Sequence, residues 1–381
     1  MQINVLASTK VGYKIPKEEA IDFSGKSAGI CYMPDSLDTL FSEDSEKTQK
    51  RAKGTLTSGH HSVFGHVTYN LSLEEIPKIL AMILNNEKMY NASEKSARYT
   101  KMEPSEKEGK LYEKWIGIYQ DVIKEKYPEI DDKKIRKLAM ENARYLISVF
   151  TPATTMEYTV NFGQLNYIAH WFEKFVEEAP NTLFNVKLKK VFEEFNEKIS
   201  DLLVPELNSD IKGRTLSLFA KRKRTEEFGE NYCVNYEGTF AELAQAQRHR
   251  TLYYEIFIPE VHKYFVPPII RETNLEKEWI EDISSLDEEF PQGLMLEINE
   301  RGNVENFVMK CQERLCGAAQ LEIALQTKEI LDKYIDNTKE SKKEIYEYLL
   351  PYSKGARCTF PGWRCTTPCI WGAKHGIDRN I

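Results

Sequence analysis

The chain of 381 residues exceeds one average domain and, with 41% hydrophobic and 29% charged residues, has the composition of a folded globular protein. Its formal net charge of −7 argues against a protein that coats nucleic acid, and its seven scattered cysteines do not resemble a secreted disulfide framework. Because the sequence shows neither a signal peptide nor a run of about 20 apolar residues that would span a membrane, we expect a cytoplasmic protein.

The first half of the chain alternates predicted extended and helical segments. Residues 3–7 are predicted to form a strand, and apolar residues at helical spacing indicate an amphipathic helix over 73–90. The same spacing predicts helices over 164–178 and 186–203.

The second half repeats this order. A tyrosine-rich strand is predicted over 231–236, a helix over 239–250 and one long helix over 304–334. The shared succession of strand, helix, strand and long helix suggests a diverged internal duplication.

One cluster in the second half combines an amide, two guanidinium groups and an imidazole, since Gln245 is followed by Arg248, His249 and Arg250. On a helix, Gln245 and Arg248 would lie on one face, with Arg250 turned away from it. A guanidinium binds a phosphate, or the paired carbonyls of a flat heterocycle, through two hydrogen bonds. Taken alone, such a triplet is more often a basic stretch on a surface helix.

Two further clusters lie in the first half. His60 and His66 flank Ser62, but their spacing is not that of a standard metal site, and histidines that cap turns are the ordinary explanation. Ser96 and Arg98 would share one face of a strand and together suit a phosphate, although such pairs are common on surfaces.

Arg314 lies on the long helix predicted in the second half, just before the small residues Gly317, Ala318 and Ala319. Small side chains allow another group to approach the backbone closely. Tight packing between helices explains them equally well.

In combination, these motifs resemble those of the flavin-dependent thymidylate synthases, whose hallmark is an arginine-histidine-arginine triplet preceded by glutamine. Segments 59–66, 96–99 and 314–323 are similar to the family's flavin-site, nucleotide-binding and last-helix motifs. Arg144 and Asn161 stand where the family has a nucleotide-binding arginine and a flavin-binding asparagine.

The resemblance implies an α+β fold of two tandem synthase-like units, each a mostly antiparallel sheet with long helices. It also implies the methylation of dUMP to dTMP, with methylenetetrahydrofolate as carbon donor, FAD as cofactor and NAD(P)H as reductant. The protein's part in this chemistry is to place the reactants and to stabilise developing charge.

The resemblance also implies the site residues, each taken from a matching position in this sequence. Those implied in catalysis are Arg314, Arg248 and Ser96. Those implied in flavin binding are His60, Ser62, Arg248, His249, Arg250 and Asn161. Those implied in nucleotide binding are Gln245, Arg248, Ser96, Arg98, Arg144 and Arg314.

The two halves depart from the family in complementary ways. The first half has Asn86, Glu87 and Lys88 where the triplet is expected, and the second has 255–259 where the serine and arginine are expected. Family members are homotetramers whose sites draw residues from several chains. We therefore expect one composite site between two repeats, one decayed site, and a homodimer that forms a pseudo-tetramer. An arginine restored at Asn86 should then change little.

We accordingly expect a first repeat at 1–185, a second repeat with the triplet at 186–349, and a tail at 350–381 that is rich in cysteine and tryptophan. The tail contains a weak candidate for a zinc site, formed by Cys358, Cys365, Cys369 and His375. Ordinary packing around the tryptophans is the simpler explanation of these residues.

Two other functions stay open at this point. The scaffold could install a different one-carbon group, such as hydroxymethyl, on C5 of dUMP or of another pyrimidine nucleotide. Alternatively, the chain could be a catalytically degenerate relative that binds nucleotide or flavin and regulates. Product analysis separates the first from thymidylate synthesis, and complementation of a thymidine auxotroph separates the second.

Overall fold

The computed structural model describes residues 12–33, 36–95, 104–210, 213–366, 369–372 and 376–381. The strand predicted at 3–7 and the predicted site residues Ser96, Arg98 and His375 lie outside these ranges.

The chain divides into two compact units. The smaller unit comprises Met1–Ser72, Met89–Ser93 and Glu157–Thr215. The larger comprises Leu73–Lys88, Glu94–Met156 and Leu216–Ile381. These units do not coincide with the predicted repeats, because the chain passes from one unit to the other several times in the first half. The repeat boundaries at 1–185 and 186–349 stay a prediction.

The first half contains helices and a three-stranded sheet. Its elements are, in chain order, α1 (Lys17–Tyr32), α2 (Leu37–Ser42), α3 (Ser45–Thr57), β1 (Thr68–Ile76), α4 (Lys78–Leu84), β2 (Tyr90–Glu94), α5 (Glu106–Lys126), α6 (Asp132–Ala143), β3 (Thr154–Asn161), α7 (Phe162–Glu178) and α8 (Leu183–Lys198). The strands are ordered β1-β3-β2.

The second half contains another three-stranded sheet. Its elements are β4 (Asn231–Thr239), α9 (Phe240–Ala246), β5 (Tyr253–Phe257), α10 (Asn274–Ser284), β6 (Met295–Asn303), α11 (Val304–Arg314), α12 (Leu321–Thr338) and α13 (Lys343–Leu349). Strand β6 lies between β4 and β5 and is antiparallel to both. The mixture of helices and sheets confirms the predicted α+β class.

The two halves agree in more detail than the sequence pattern indicated. In each, a nine-residue strand is followed by a seven-residue helix and then by a five-residue strand. In each, the third strand occupies the centre of its sheet and runs directly into a helix. These correspondences are what a diverged duplication would leave.

Several predicted elements are confirmed. The helix predicted at 164–178 is α7, the strand predicted at 231–236 is β4, and the helix predicted at 186–203 is α8, which ends earlier. Each of these segments has a strong periodic pattern, and local packing supports it. In the smaller unit, for example, Phe172 of α7 stacks on Phe192 of α8 with ring centroids 3.8 Å apart.

Three predicted helices have different bounds. The helix predicted at 73–90 is wrong at both ends, because β1 continues to Ile76 and α4 begins only after Pro77 and ends at Leu84. Proline favours this first-turn position and an extended residue before it. The helix predicted at 239–250 ends at Ala246, and the one predicted at 304–334 is broken by a turn at 315–320.

The larger unit has an aromatic core. Trp115 of α5 packs edge-on against Trp279 of α10, with ring centroids 4.8 Å apart, and both side chains are fully buried. The indole N–H of Trp115 donates to Asp282 Oδ2 at 2.8 Å, so the ring is oriented as well as buried. Over the described ranges, no helix combines the length and the apolarity that crossing a membrane requires.

Candidate functional site

The triplet at 248–250 lies in the turn that follows α9. Thr239 caps this helix, since its hydroxyl oxygen accepts from the backbone N–H of Glu242 at 3.0 Å. After the helix ends, the N–H of Arg248 donates to the carbonyl of Gln245 at 3.2 Å, which turns the chain. Arg248 and Arg250 are consequently exposed, whereas His249 between them is buried.

His249 orients Arg314. The Nε of Arg314 donates to His249 Nε2 at 2.8 Å, and its Nη2 donates to the backbone carbonyl of Gln245 at 3.2 Å. Burial, followed by the positive charges of Arg314 and Lys310, lowers the pKa of His249 to about 2. The imidazole is therefore neutral and can accept a hydrogen bond. Arg314 also lies 3.6 Å from the carboxylate of Glu313, which is well exposed.

A buried amide joins Arg144 of the first half to Gln245 of the second. Gln320 Oε1 accepts from Arg144 Nη2 and from Gln245 Nε2. The Nε2 of Gln320 in turn donates to the hydroxyl of Tyr145 at 2.5 Å. The structure thus brings together three residues that belong to separate sequence motifs.

Glu322 ends this network. Its carboxylate accepts from the hydroxyl of Tyr145 at 2.6 Å, and from the N–H and hydroxyl of Thr239 at 3.1 and 2.9 Å. Burial raises the pKa of Glu322, and these hydrogen bonds oppose the rise. Burial and the neighbouring Glu322 raise the pKa of Tyr145 well above its ordinary value, so Tyr145 stays a donor. The network therefore holds Gln320 in one orientation.

Lys78, at the start of α4, is a candidate site residue that the sequence motifs do not indicate. Its ammonium donates to Glu94 Oε1, and both side chains are mostly buried. Burial lowers the pKa of Lys78, and the positive charges of Arg248 and Arg144 lower it further, against the effect of Glu94. Lys78, Arg144 and Arg248 are therefore within electrostatic range of one another. The only sequence signal is a lysine that begins an otherwise apolar helix.

The turn after α4 corresponds to the turn with the triplet, and its polar side chains bind other parts of the larger unit. Asn86 Nδ2 donates to Ser217 Oγ at 2.6 Å and to the carbonyl of Tyr254 at 2.9 Å. Glu87 accepts from the N–H of Ser217 at 2.7 Å, and burial raises its pKa to about 7. Lys88 donates to a backbone carbonyl, and burial lowers its pKa to about 8.

The predicted flavin-site segment lies in the smaller unit. Gly59, with φ of 73°, ends α3, and the N–H of His60 donates back to the carbonyl of Thr55 at 3.0 Å. This turn leaves Ser62 exposed and His60 partly exposed. Asn161 accepts from the N–H of Gln164 at 2.8 Å and so caps α7.

One histidine of this segment has a structural role. His61 is buried, with Nε2 2.9 Å from the carbonyl of Leu56 and Nδ1 2.9 Å from the hydroxyl of Tyr167. Because a carbonyl can only accept, Nε2 carries the hydrogen, and Nδ1 accepts from Tyr167. The turn-capping explanation of these histidines therefore suits His61.

The described part of the tail holds no metal cluster. Cys358, Cys365 and Cys369 are exposed, and among the described residues no three potential metal-binding side chains come together. His375, the fourth member of the weak zinc candidate, lies outside the described residues.

Fold and site together define an α+β protein with a buried polar network and several cationic side chains around it. Residues 18–178 match the family model described as thymidylate synthase complementing protein. This match confirms the resemblance to the flavin-dependent thymidylate synthases over that segment. The matched segment contains Lys78 and Arg144 and ends before Arg248 and Arg314. A search of curated proteins found no match.

Proposed function

We propose that this protein is a flavin-dependent thymidylate synthase that methylates dUMP to dTMP, with methylenetetrahydrofolate as carbon donor and NAD(P)H as reductant. The observation that carries the proposal is the group of cations formed by Lys78, Arg144 and Arg248, which the first and second halves supply together. Family membership over 18–178 relates the chain to thymidylate synthesis but leaves the reaction itself to be tested.

The cations suit the phosphate of a nucleotide. Arg248 is exposed, whereas Arg144 and Lys78 are largely buried, and Lys78 lies within electrostatic range of both arginines. A phosphate that approaches Arg248 would gain a charge-assisted hydrogen bond in a region of raised positive potential. Arg144 donates to the carbonyl of Ala241 and to the side-chain amide of Gln320, and these two bonds hold its guanidinium in place.

Arg314 suits the pyrimidine. Its guanidinium is held by a neutral imidazole and a backbone carbonyl, so its orientation is fixed. A fixed cation of this kind stabilises the negative charge that develops on the uracil carbonyls when C5 acts as a nucleophile. We assign Arg314 this catalytic role, with His249 as its positioning residue.

An unsatisfied acceptor supports the binding of a flat heterocycle. The Oε1 atom of Gln245 is buried and has no hydrogen-bond partner among the described residues. Such an atom suits an imide N–H, which both uracil and the flavin ring present. FAD would supply the redox chemistry, and we assign its binding to Arg250 together with His60, Ser62 and Asn161. Ser96 and Arg98 remain predicted nucleotide-binding residues.

We further propose that the two halves arose by duplication and that two chains form a pseudo-tetramer. The equal lengths of the paired elements support the duplication. Only one of the two corresponding turns exposes arginine, so we expect one functional site for each chain. Small-angle scattering that gives the mass of a single chain would count against the dimer.

The experiment is an assay of tritium release from C5 of labelled dUMP, carried out with protein purified with its flavin. Arg248→Ala should lower kcat/KM by about 100-fold, because it removes a charged contact to the phosphate. Its unfolding temperature should stay unchanged, since Arg248 is exposed. The exposed Arg136 on α6 provides the matched control, and Arg136→Ala should be fully active.

Full activity of Arg248→Ala would refute the assignment of the site. Flavin binding without turnover would instead favour the regulatory alternative. A product heavier than dTMP by one oxygen would favour hydroxymethylation.

A further inference from the structure

The turn at 315–320 joins α11 to α12 and connects two proposed site residues. Arg314 precedes it and Gln320 ends it. Arg314 and Gln320 contact the other residues of the proposed site through their side chains. Because they flank the turn, the position of the turn determines where these two side chains lie. Contacts that fix the turn therefore also position these two side chains of the proposed site.

The C-terminal segment 356–381 contacts this turn at three alternate residues, Leu315, Gly317 and Ala319. The N–H of Arg357 donates to the carbonyl of Leu315 at 2.6 Å, and the Nη2 of Arg379 donates to the carbonyl of Ala319 at 2.6 Å. Between these two points, a Cβ on Gly317 would lie 2.6 Å from Trp371 Cδ1. The glycine is therefore required by the close approach of the indole ring.

The C-terminal segment is itself anchored to the core of the larger unit. Trp371 packs edge-on against Tyr127, with ring centroids 5.1 Å apart, and the hydroxyl of Tyr127 accepts from the N–H of Asn380 at 3.2 Å. Ile381 is buried in the cluster that surrounds Trp115. These contacts connect the turn to a rigid part of the fold.

Arg379 is the central residue of this arrangement. Its side chain is buried and lies 5.8 Å from the ring of Trp371, and it donates to backbone carbonyls at Ala319 and Gly376. Burying a guanidinium against backbone carbonyls and an aromatic ring is an expensive way to hold a surface tail. It is well suited to fixing a turn in one position.

We propose that Arg379 and Trp371 are positioning residues of the synthase site, which hold the turn at 315–320 and thereby place Arg314 and Gln320. The inference rests on the proposed function, and it gives the tail a role in nucleotide binding. It needs no metal bound to the cysteines of the tail.

The test compares Arg379→Ala with Arg379→Lys and with Arg364→Ala, an exposed arginine of the same segment. Three quantities are measured on the flavin-loaded protein: the Kd for dUMP by calorimetry, the flavin content by absorbance, and hydrogen exchange across 315–320 without ligand. Arg379→Ala should raise the Kd for dUMP by about tenfold to 100-fold, because displaced binding groups lose their alignment.

We expect faster hydrogen exchange at 315–320 in Arg379→Ala, with the flavin content retained. Arg379→Lys should recover part of the dUMP affinity, since an ammonium still donates to carbonyl oxygens. Arg364→Ala should match the wild type in all three measurements. A general loss of structure would instead lower the flavin content and the dUMP affinity together and would overturn the proposal.

Gly317→Ala provides an independent variant in case Arg379→Ala does not fold. Its methyl group should push Trp371 away from the turn and weaken dUMP binding in the same way. Wild-type exchange at 315–320 in either soluble variant would overturn the inference, whatever the substrate. Failure of the wild-type protein to bind dUMP would refute the proposed function, and the exchange measurement would still decide the role of the tail.

Discussion

The turns after α4 and α9 follow helices of equal length that connect the first and second strands of their sheets. After α9, the chain exposes Arg248 and Arg250 and buries a neutral histidine between them. After α4, Asn86 and Glu87 are buried and bonded to Ser217. One turn thus offers charge to a ligand, whereas the other contributes to the scaffold. On the proposed duplication, the turn after α4 has lost its binding groups and kept its place in the fold.

The two halves also differ in the charge of their buried side chains. In the second half, Lys310 and Glu300 form a fully buried ion pair 2.6 Å apart. Counted from the asparagine that ends each third strand, the corresponding residues of the first half are Tyr158 and Ile168, which are buried and make no ion pair with each other. The half with the exposed triplet therefore also carries the buried charges that influence it, since Lys310 contributes to the lowered pKa of His249.

Removal of one member of that ion pair should have the largest effect on stability. Glu300→Ala leaves the ammonium of Lys310 buried without its partner and should lower the free energy of unfolding by about 3–5 kcal/mol. Urea denaturation measures the loss. Ile168, the counterpart of Lys310, is also fully buried, and Ile168→Val should cost only about 1 kcal/mol. Equal losses in the two variants would show that the halves do not differ in this respect.

An arginine placed at Asn86 tests whether the two turns are interchangeable. The sequence suggested that such a change would do little, but Asn86 is 3% exposed and donates two hydrogen bonds. Asn86→Arg should therefore lower the free energy of unfolding by about 3 kcal/mol, because it buries a charge and breaks those bonds. The reverse change, Arg248→Asn, should leave stability unchanged. Thermal unfolding of both variants decides the matter, and a stable Asn86→Arg protein would contradict the buried role.

Glu87 and His249 occupy corresponding positions and should give opposite pH dependences. Glu87, with a pKa raised to about 7, holds its proton longer in the folded state, so its contribution to stability falls as pH rises from about 4.5 to 7. His249, with a pKa lowered to about 2, stays neutral when folded, so its contribution falls as pH drops below about 6.5.

Each of these contributions should reach about 2 kcal/mol within the range from pH 5 to pH 7. Denaturation curves of Glu87→Gln and His249→Gln measure them as differences from the wild type. The difference should grow with pH for Glu87→Gln and should grow towards acid for His249→Gln. Differences that do not vary with pH would contradict both assignments.

The sequence predicted those parts of the molecule that depend on local pattern. Helix α7 and strand β4 have strong periodicity and lie where expected. The end of α9 and the break at 315–320 were missed, because tertiary contacts decide them, as the packing of Trp371 on Gly317 shows. Lys78 was missed for the same reason, since its approach to Arg248 is a property of the folded chain.

The sequence predicted residues that the fold brings together but not their chemical state, and their roles in binding and catalysis stay a prediction. The family motifs named Arg144, Gln245 and Arg314, and the structure brings these three residues into one hydrogen-bonded region through Gln320 and the Gln245 carbonyl. The neutral state of His249, which lets it accept from Arg314, results from burial and neighbouring charge. A short sequence motif does not indicate that a residue such as His249 is buried.

The smallest predicted effect concerns the asparagines that end the third strands, where the halves remain alike. Asn161 and Asn303 each cap the following helix, and they accept from Gln164 and Asn306 at 2.8 and 2.9 Å. Asn161→Ala and Asn303→Ala should each lower the free energy of unfolding by about 1 kcal/mol, as is usual for the loss of a cap. Of the two asparagines, only Asn161 is also proposed to bind flavin.

Asn161→Asp separates capping from flavin binding at this position, because a carboxylate keeps the capping acceptor but removes the amide donor. We expect Asn161→Asp to be as stable as the wild type and to bind FAD less tightly, while Asn303→Asp changes neither property. Flavin titration monitored by fluorescence measures the affinity. Undiminished flavin affinity in Asn161→Asp would leave Asn161 with the same purely structural role as Asn303, and this position would then not distinguish the halves.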